Sequence, residues 1–355
     1  FSSALAFGAM EEHHRASTGG FIAGVLVSVC AASTIGCGGN LHVRKIDSVA
    51  QSTGNVAVYF TVNTAEDKPV PDLNASSFRV YEDGKLISEK KGRRALLDPR
   101  VAMSQSTLVL VDMAGPIADS EDMPTLVTAV SRLCDRVGRL QEVAVSAFDG
   151  GPDLVPVLTF EANDVRGSLD GLRAFRPRSR QSNLNGAIVK GLEVVRHRRD
   201  DASVPHAFGN LVVFTDRGDL AHKVSARDVQ AAIEKSGINV FVIGIGERVK
   251  KEELEPLGHG ETFLSAQTKD LTRAFSDVSK KLDAMSASHY VLSYCSNKQK
   301  GTHTLEVEVL ADGDSGRLKQ KFQADDFDPS DCAPRKRPVF GQAVATRGGK
   351  SKKEN

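Results

Sequence analysis

The sequence predicts an α/β fold: a doubly wound, Rossmann-like and mostly parallel sheet, flanked by a small antiparallel β-sandwich built from both chain ends. Three observations predict it. First, Leu108-Val109-Leu110-Val111 runs into Asp112, Leu211-Val212-Val213-Phe214 runs into Thr215-Asp216, and Val240-Phe241-Val242-Ile243 runs into Gly244-Ile245-Gly246. Short unbroken apolar runs suit strands covered by helices on both faces. Second, amphipathic helical stretches separate these runs throughout residues 103–285, the alternation expected of a doubly wound sheet. Third, period-two strand patterns stand on either side of that region. Few strands alone bury too little area to be stable, so the two sets are expected to pair with one another.

Before the core, Val56, Val58, Phe60 and Val62 alternate with Ala57, Tyr59 and Thr61, and Phe78-Arg79-Val80-Tyr81 leads to the hairpin signal Asp83-Gly84. Residues 51–98 therefore read as an N-terminal unit of three or four strands, preceded by a tether over 37–50. Within the core, Leu126, Val130, Leu133 and Val137 mark a helix face, as do Leu169 with Leu172, Ile188 with Leu192, Val229 with Ile233, and Leu271, Phe275, Val278 and Leu282. Val143, Val145 and Ala147 alternate as a strand that pairs with the segment from Leu154 to Phe160. The basic run Arg196-His197-Arg198-Arg199 ends a helix, where its dipole favours cations, and reads as structural. Residues 286–333 form a C-terminal strand unit, with strands near 289–294, 304–310 and 318–322. The basic tail 334–355 lacks apolar periodicity and is expected to be disordered.

The chain has 355 residues and a net charge of +1, which argues against a whole-chain nucleic-acid binder. It has no Trp, so no stacking platform for bases is expected. The first Met is Met10, taken as the start. The apolar run from Phe21 to Ala32 is shorter than the roughly 20 residues of a bilayer span and has the length of a signal-peptide core. It ends at Gly36-Cys37-Gly38-Gly39, which resembles a bacterial lipoprotein signal. The resemblance implies removal of residues 1–36, lipidation of Cys37, and a chain tethered to the outer membrane of a bacterial cell envelope. An oxidising compartment then makes Cys295 and Cys332 a candidate disulfide, while Cys134 sits in a helical apolar pattern as a small buried hydrophobe.

The order of elements and the loops at Asp112 and Thr215-Asp216 resemble the von Willebrand factor type A (VWA) domain, over about residues 106–285. The family carries a metal-ion-dependent adhesion site. Its first loop supplies an Asp and two Ser at alternate positions, its second loop a Thr, and its third an Asp. By that resemblance the ligands are Asp112, Ser182 and Asp216. The two serine positions fall on Ala114 and Pro116, and Arg217 stands where Gly is common. Magnesium takes near-octahedral oxygen ligation, and a methyl and a pyrrolidine supply none. Two outcomes are open: a hydrated Mg2+ or Mn2+ held weakly by three ligands, or acids neutralised by Arg217 or Lys223. Met113, Asn183, Arg217 and Asp219 are candidate binding-loop residues.

No Gly-x-Ser-x-Gly elbow, P-loop or His-Glu-x-x-His is present. Gly244-Ile245-Gly246 opens no helix with a third glycine and reads as a tight turn. His222 reads as a solvated loop histidine, and His289 and His303 as surface residues of strands. The expected function is non-enzymatic: a membrane-anchored module binding a protein partner in the envelope, with no resident cofactor. The alternatives are a structural envelope subunit acting through its β-domain and a weakly metal-dependent adhesion protein.

Overall fold

The structure is a computed structural model that describes residues 40–88, 94–162, 164–325 and 327–341. The signal-like segment 1–36, Cys37 and residues 342–355 lie outside the described residues.

The first strands are β1 (Leu41–Ala50), β2 (Asn55–Thr64), β3 (Phe78–Glu82), β4 (Lys85–Leu86) and β5 (Arg94–Leu97). The α/β core follows as β6 (Met103–Asp112), α1 (Met123–Val137), β7 (Glu142–Phe148), β8 (Val155–Leu158), α2 (Val165–Ala174) and α3 (Leu184–Asp200). It continues as β9 (His206–Arg217), α4 (Ala226–Ser236), β10 (Asn239–Arg248), α5 (Lys251–Leu254), β11 (Glu261–Ser265) and α6 (Leu271–Ala287). The last strands are β12 (His289–Cys295), β13 (Thr302–Ala311) and β14 (Asp314–Gln323).

The core sheet has the order β11-β10-β9-β6-β7-β8. Its pairings are parallel except β7 with β8. Alternation along β6 divides the layers: Val109, Val111 and Met113 pack with α1, α2 and α6, whereas Leu108 and Leu110 pack with α3 and α4. Local chemistry sets the helix ends. Ser225 accepts from the Asp228 amide at 3.1 Å to start α4, and Gly237, at φ 63°, stops it. The chain leaves β6 toward β7 on one side and returns to β9 on the other. The carboxyl ends of β6 and β9 are therefore a topological switch point, where open α/β sheets place their sites.

The flanking strands form two four-stranded sheets, β1-β2-β12-β5 and β14-β13-β3-β4. Val56, Val58 and Phe60 of one meet Phe78, Val80, Leu305 and Val307 of the other in a shared core, so both chain ends do build one sandwich. Its internal arrangement differs from the expectation. The N-terminal strands are not one local unit: β2 pairs with β1 and β12, while β3 pairs with β13 and β4. Each sheet is itself stitched from both ends of the chain.

Three further expectations are corrected. The tether expected over 37–50 is, from Leu41 on, the ten-residue strand β1, registered against β2 from Leu41↔Thr64 to Ala50↔Val56. The tail expected to be disordered from 334 is ordered to 341, with Phe340 buried against Tyr59, Met103 and Val291. His289 is no surface residue. Its Nδ1 lies 2.7 Å from the Tyr59 hydroxyl, and burial pushes its pKa down to about 4. The Cys295–Cys332 disulfide is formed, and Cys134 is free and buried.

Candidate functional site

Asp112 ends β6 and is fully buried, with 0% of its surface exposed. Its Oδ1 accepts from the Ala114 amide at 3.0 Å. Its Oδ2 accepts from Ser182 Oγ at 2.6 Å and Thr215 Oγ1 at 2.7 Å. Burial raises its pKa to about 6, against the opposing effect of these hydrogen bonds. Asp216, at the end of β9, accepts from Arg217 Nε on Oδ1 at 2.9 Å and from the Ile117 amide on Oδ2 at 3.2 Å. The three residues expected to meet, Asp112, Ser182 and Asp216, do meet on one rim of the sheet.

The second loop is ordered from below by Asp149. Its carboxylate accepts from the Gly151 amide at 2.7 Å and the Arg178 amide at 2.6 Å, while its carbonyl accepts from the Asn183 amide at 3.1 Å. The third loop is tied down in turn, because the Leu220 and Ala221 amides both donate to the Ser182 carbonyl. Gly246, at φ 139°, lets the end of β10 pass the Asp216 backbone, where a Cβ would lie 3.3 Å from the Asp216 carbonyl oxygen.

Sequence reasoning missed Thr215, Asp149 and Arg180. A hydroxyl between an apolar run and an acid was the only signal for Thr215. Asp149 was signalled by the turn composition Asp149-Gly150-Gly151. Nothing local signalled Arg180, whose Nη1 reaches the Gly115 carbonyl and whose Nη2 pairs with Asp119.

The four binding-loop candidates are corrected. Met113, Asn183 and Arg217 are buried, and the Asp219 side chain is 9% exposed. Met113 joins the core under the sheet, and half-buried Asp219 is taken up by the Asn185 amide that opens α3 and by the His222 amide. Exposed residues of the rim include Pro116, Arg178, Gln181, Leu220, His222 and Lys223, beside the exposed Arg180–Asp119 pair. Of the two cations weighed as counter-ions, Arg217 pairs with Asp216, whereas Lys223 donates to the Gly150 carbonyl.

Residues 108–281 match the family model of the von Willebrand factor type A domain. The chain carries a VWA domain. Among solved structures, proximal thread matrix protein 1 from the mussel byssus is similar at 17% identity and a TM-score of 0.42, over 53% of this chain and 50% of that one. A von Willebrand factor type A protein from Catenulispora acidiphila is similar at 10% identity and a TM-score of 0.40, over 81% of this chain and 74% of that one. A further mussel structure, with a zinc-occupied MIDAS motif, is similar at 17% identity and a TM-score of 0.39, over 56% and 49%. The chain spans about half the length of the mussel chains it matches. No curated protein matches it.

VWA domains can bind a metal at this rim, and the residues present do not fit one. Every carboxylate oxygen of Asp112 and Asp216 is engaged by an N–H or O–H donor. Ala114 and Pro116 add no oxygen. Among the described residues no cluster of three or more His, Cys, Asp or Glu side chains gathers around a common point.

Proposed function

We propose that the chain is a non-enzymatic, membrane-anchored protein-binding module of the bacterial cell envelope, with a VWA domain whose metal site is degenerate. One observation carries the reading. Three loops at the carboxyl ends of the strands are tied into one surface on which Leu220 stands 45% exposed. The tying bonds run from Arg180 to Gly115, from Leu220 to Ser182 and from Ile117 to Asp216. An apolar side chain on a rigid, charge-rimmed surface is what a protein partner can bury at small entropic cost. The rim residues Arg178, His222 and Lys223 around it supply charge that orients an encounter.

The anchor rests on the sequence at Gly36-Cys37, and the Cys295–Cys332 disulfide fits an oxidising compartment. Crosslinking in envelope preparations tests the function. A protein crosslinked to the wild-type chain is expected to be lost with Leu220→Asp and retained with Leu86→Asp, which changes a still more exposed leucine of the sandwich. A partner lost only with Leu86→Asp moves recognition to the β-domain. No crosslinked partner at all sinks the reading.

A further inference from the structure

The disagreement between the family's ion chemistry and the donors on this rim has a specific occupant, Arg217. Its Nε lies 2.9 Å from Asp216 Oδ1, and its Nη1 lies 3.4 Å from the Arg180 carbonyl. The other Asp216 oxygen accepts from the Ile117 amide. The carboxylate rests against the backbone of the first loop: a Cβ on Gly115 would lie 2.0 Å from Asp216 Oδ1. Arg180 closes the figure from the second loop, bonding the Gly115 carbonyl and Asp119. First, second and third loops are thus joined through one guanidinium pair and its backbone partners.

Accessibility agrees. Asp112 and Ser182 are 0% exposed, Asp216 7% and Arg217 6%. A cation entering here would have to strip an ion pair and an amide from Asp216 and then find oxygens that Ala114 and Pro116 do not carry. Magnesium dehydrates reluctantly and needs those oxygens, while a planar guanidinium already supplies both charge and directed N–H groups.

We propose that the Arg217 guanidinium, braced by Arg180 and the Gly115–Ile117 backbone, is a built-in counter-ion that takes the place of a divalent cation and holds the rim permanently in one cation-independent form. This rests on the reading of the rim as the binding surface, and deepens it: a partner meets a rim that needs no metal to be assembled.

The test uses the full chain in detergent, with MnCl2 and MgCl2 as probes in calorimetric titration and thermal denaturation. The wild type is expected to give no sub-millimolar binding and the same Tm in EDTA and in millimolar Mn2+. Arg217→Gln leaves Asp216 without its charge partner and is expected to melt lower by on the order of 5–10 °C, with part of the loss recovered by Mn2+. The triple variant Ala114→Ser, Pro116→Ser, Arg217→Gly restores oxygens and removes the cation, and is expected to gain Mn2+ binding that Asp216→Ala abolishes. Sub-millimolar Mn2+ binding by the wild type, lost in Asp216→Ala, overturns the inference, and that titration is decisive whatever the stability of the variants. A metal-binding wild type whose partner still depends on Leu220 overturns this inference alone. A metal-silent wild type with no partner overturns only the binding reading.

Discussion

Asp112 and His289 are both buried titratable groups, and they pull stability in opposite directions with pH. The Asp112 pKa is raised from 3.8 to about 6 by burial, so the native chain holds this proton more tightly than the unfolded one. Its contribution is full below pH 3.8 and is lost as pH rises through about 6, a change of about 3 kcal/mol at 1.36 kcal/mol per pKa unit. The His289 pKa is lowered from 6.5 to about 4, also by burial. Its contribution is full above pH 6.5 and is lost as pH falls toward 4. The two slopes oppose one another in the wild type. Urea unfolding between pH 4 and 7 is expected to show them separately: the stability of Asp112→Asn rises with pH relative to wild type, and that of His289→Gln falls. Parallel curves for all three proteins would remove the account. Gly115 has a different constraint, because any Cβ collides with the Asp216 carboxylate. Gly115→Ala is expected to destabilise by about 2 kcal/mol, measured by the same unfolding curves, whereas Gly84→Ala, with open space around its Cβ, bears only the strain of its φ of 76°. That Asp112 and Asp216 share one rim was legible because each acid ends an apolar strand run, whereas Ser182, which precedes α3, came only from the family resemblance. The burial of Met113 and Asn183 was not, since a loop position carries no periodicity from which to read the direction of its side chain.

Two segments changed character between sequence and structure, β1 and the strap after β14. In β1 Leu41 and Val43 alternate with His42 and Arg44, but Lys45 stands where the next apolar residue would fall. A register shift between Lys45 and Asp47 breaks it again. The strand exists because β2 offers an unpaired edge, so its signal lies in the partner and not in its own residues. The strap from Ala333 to Gly341 has the composition of a disordered tail, yet Asn55 Nδ2 donates to the Ala333 carbonyl at 3.0 Å and the Phe340 ring lies tilted beside Tyr59 with ring centroids 6.4 Å apart. Phe340 thereby covers the junction where Tyr59 and Val291 of the sandwich meet Met103 of the α/β domain. Phe340→Ala is expected to lower stability by about 3 kcal/mol and to increase hydrogen exchange at β2 and the start of β6 ahead of the rim. Unchanged exchange at that junction would mean that the strap is an ornament.

Among the described residues, the strands before and after the VWA domain close on one another. The sandwich places β12 between β2 and β5 and places β13 between β14 and β3, with the VWA domain inserted between its halves. The Cys295–Cys332 disulfide, with a sequence separation of 37, then ties the end of β12 to the base of the strap. By the chain-entropy estimate a loop of that size contributes about 4 kcal/mol. Paired Cys295→Ser and Cys332→Ser substitutions are expected to lower the unfolding free energy by about that amount, with the parallel core sheet still formed by circular dichroism. At the amino end, Cys37→Ser is expected to move the chain from the membrane to the soluble fraction in cell fractionation. A variant that still sediments with membranes would defeat the lipid anchor.

The sequence by itself determined the parallel sheet, its helices, the acid-bearing strand ends and the β-rich flanks. These depend on local apolar periodicity, which is written residue by residue along the chain. Only the tertiary structure decided which strands share a sheet, that 41–50 is a strand and 333–341 a strap, and that Arg217 lies buried on Asp216. The strand partners and the strap's cover lie far away in sequence, and the adjacent Asp216–Arg217 pair is buried only because the Ile117 amide and the Arg180 carbonyl close over it from the other two loops; those edges and contacts exist only once the chain has closed on itself.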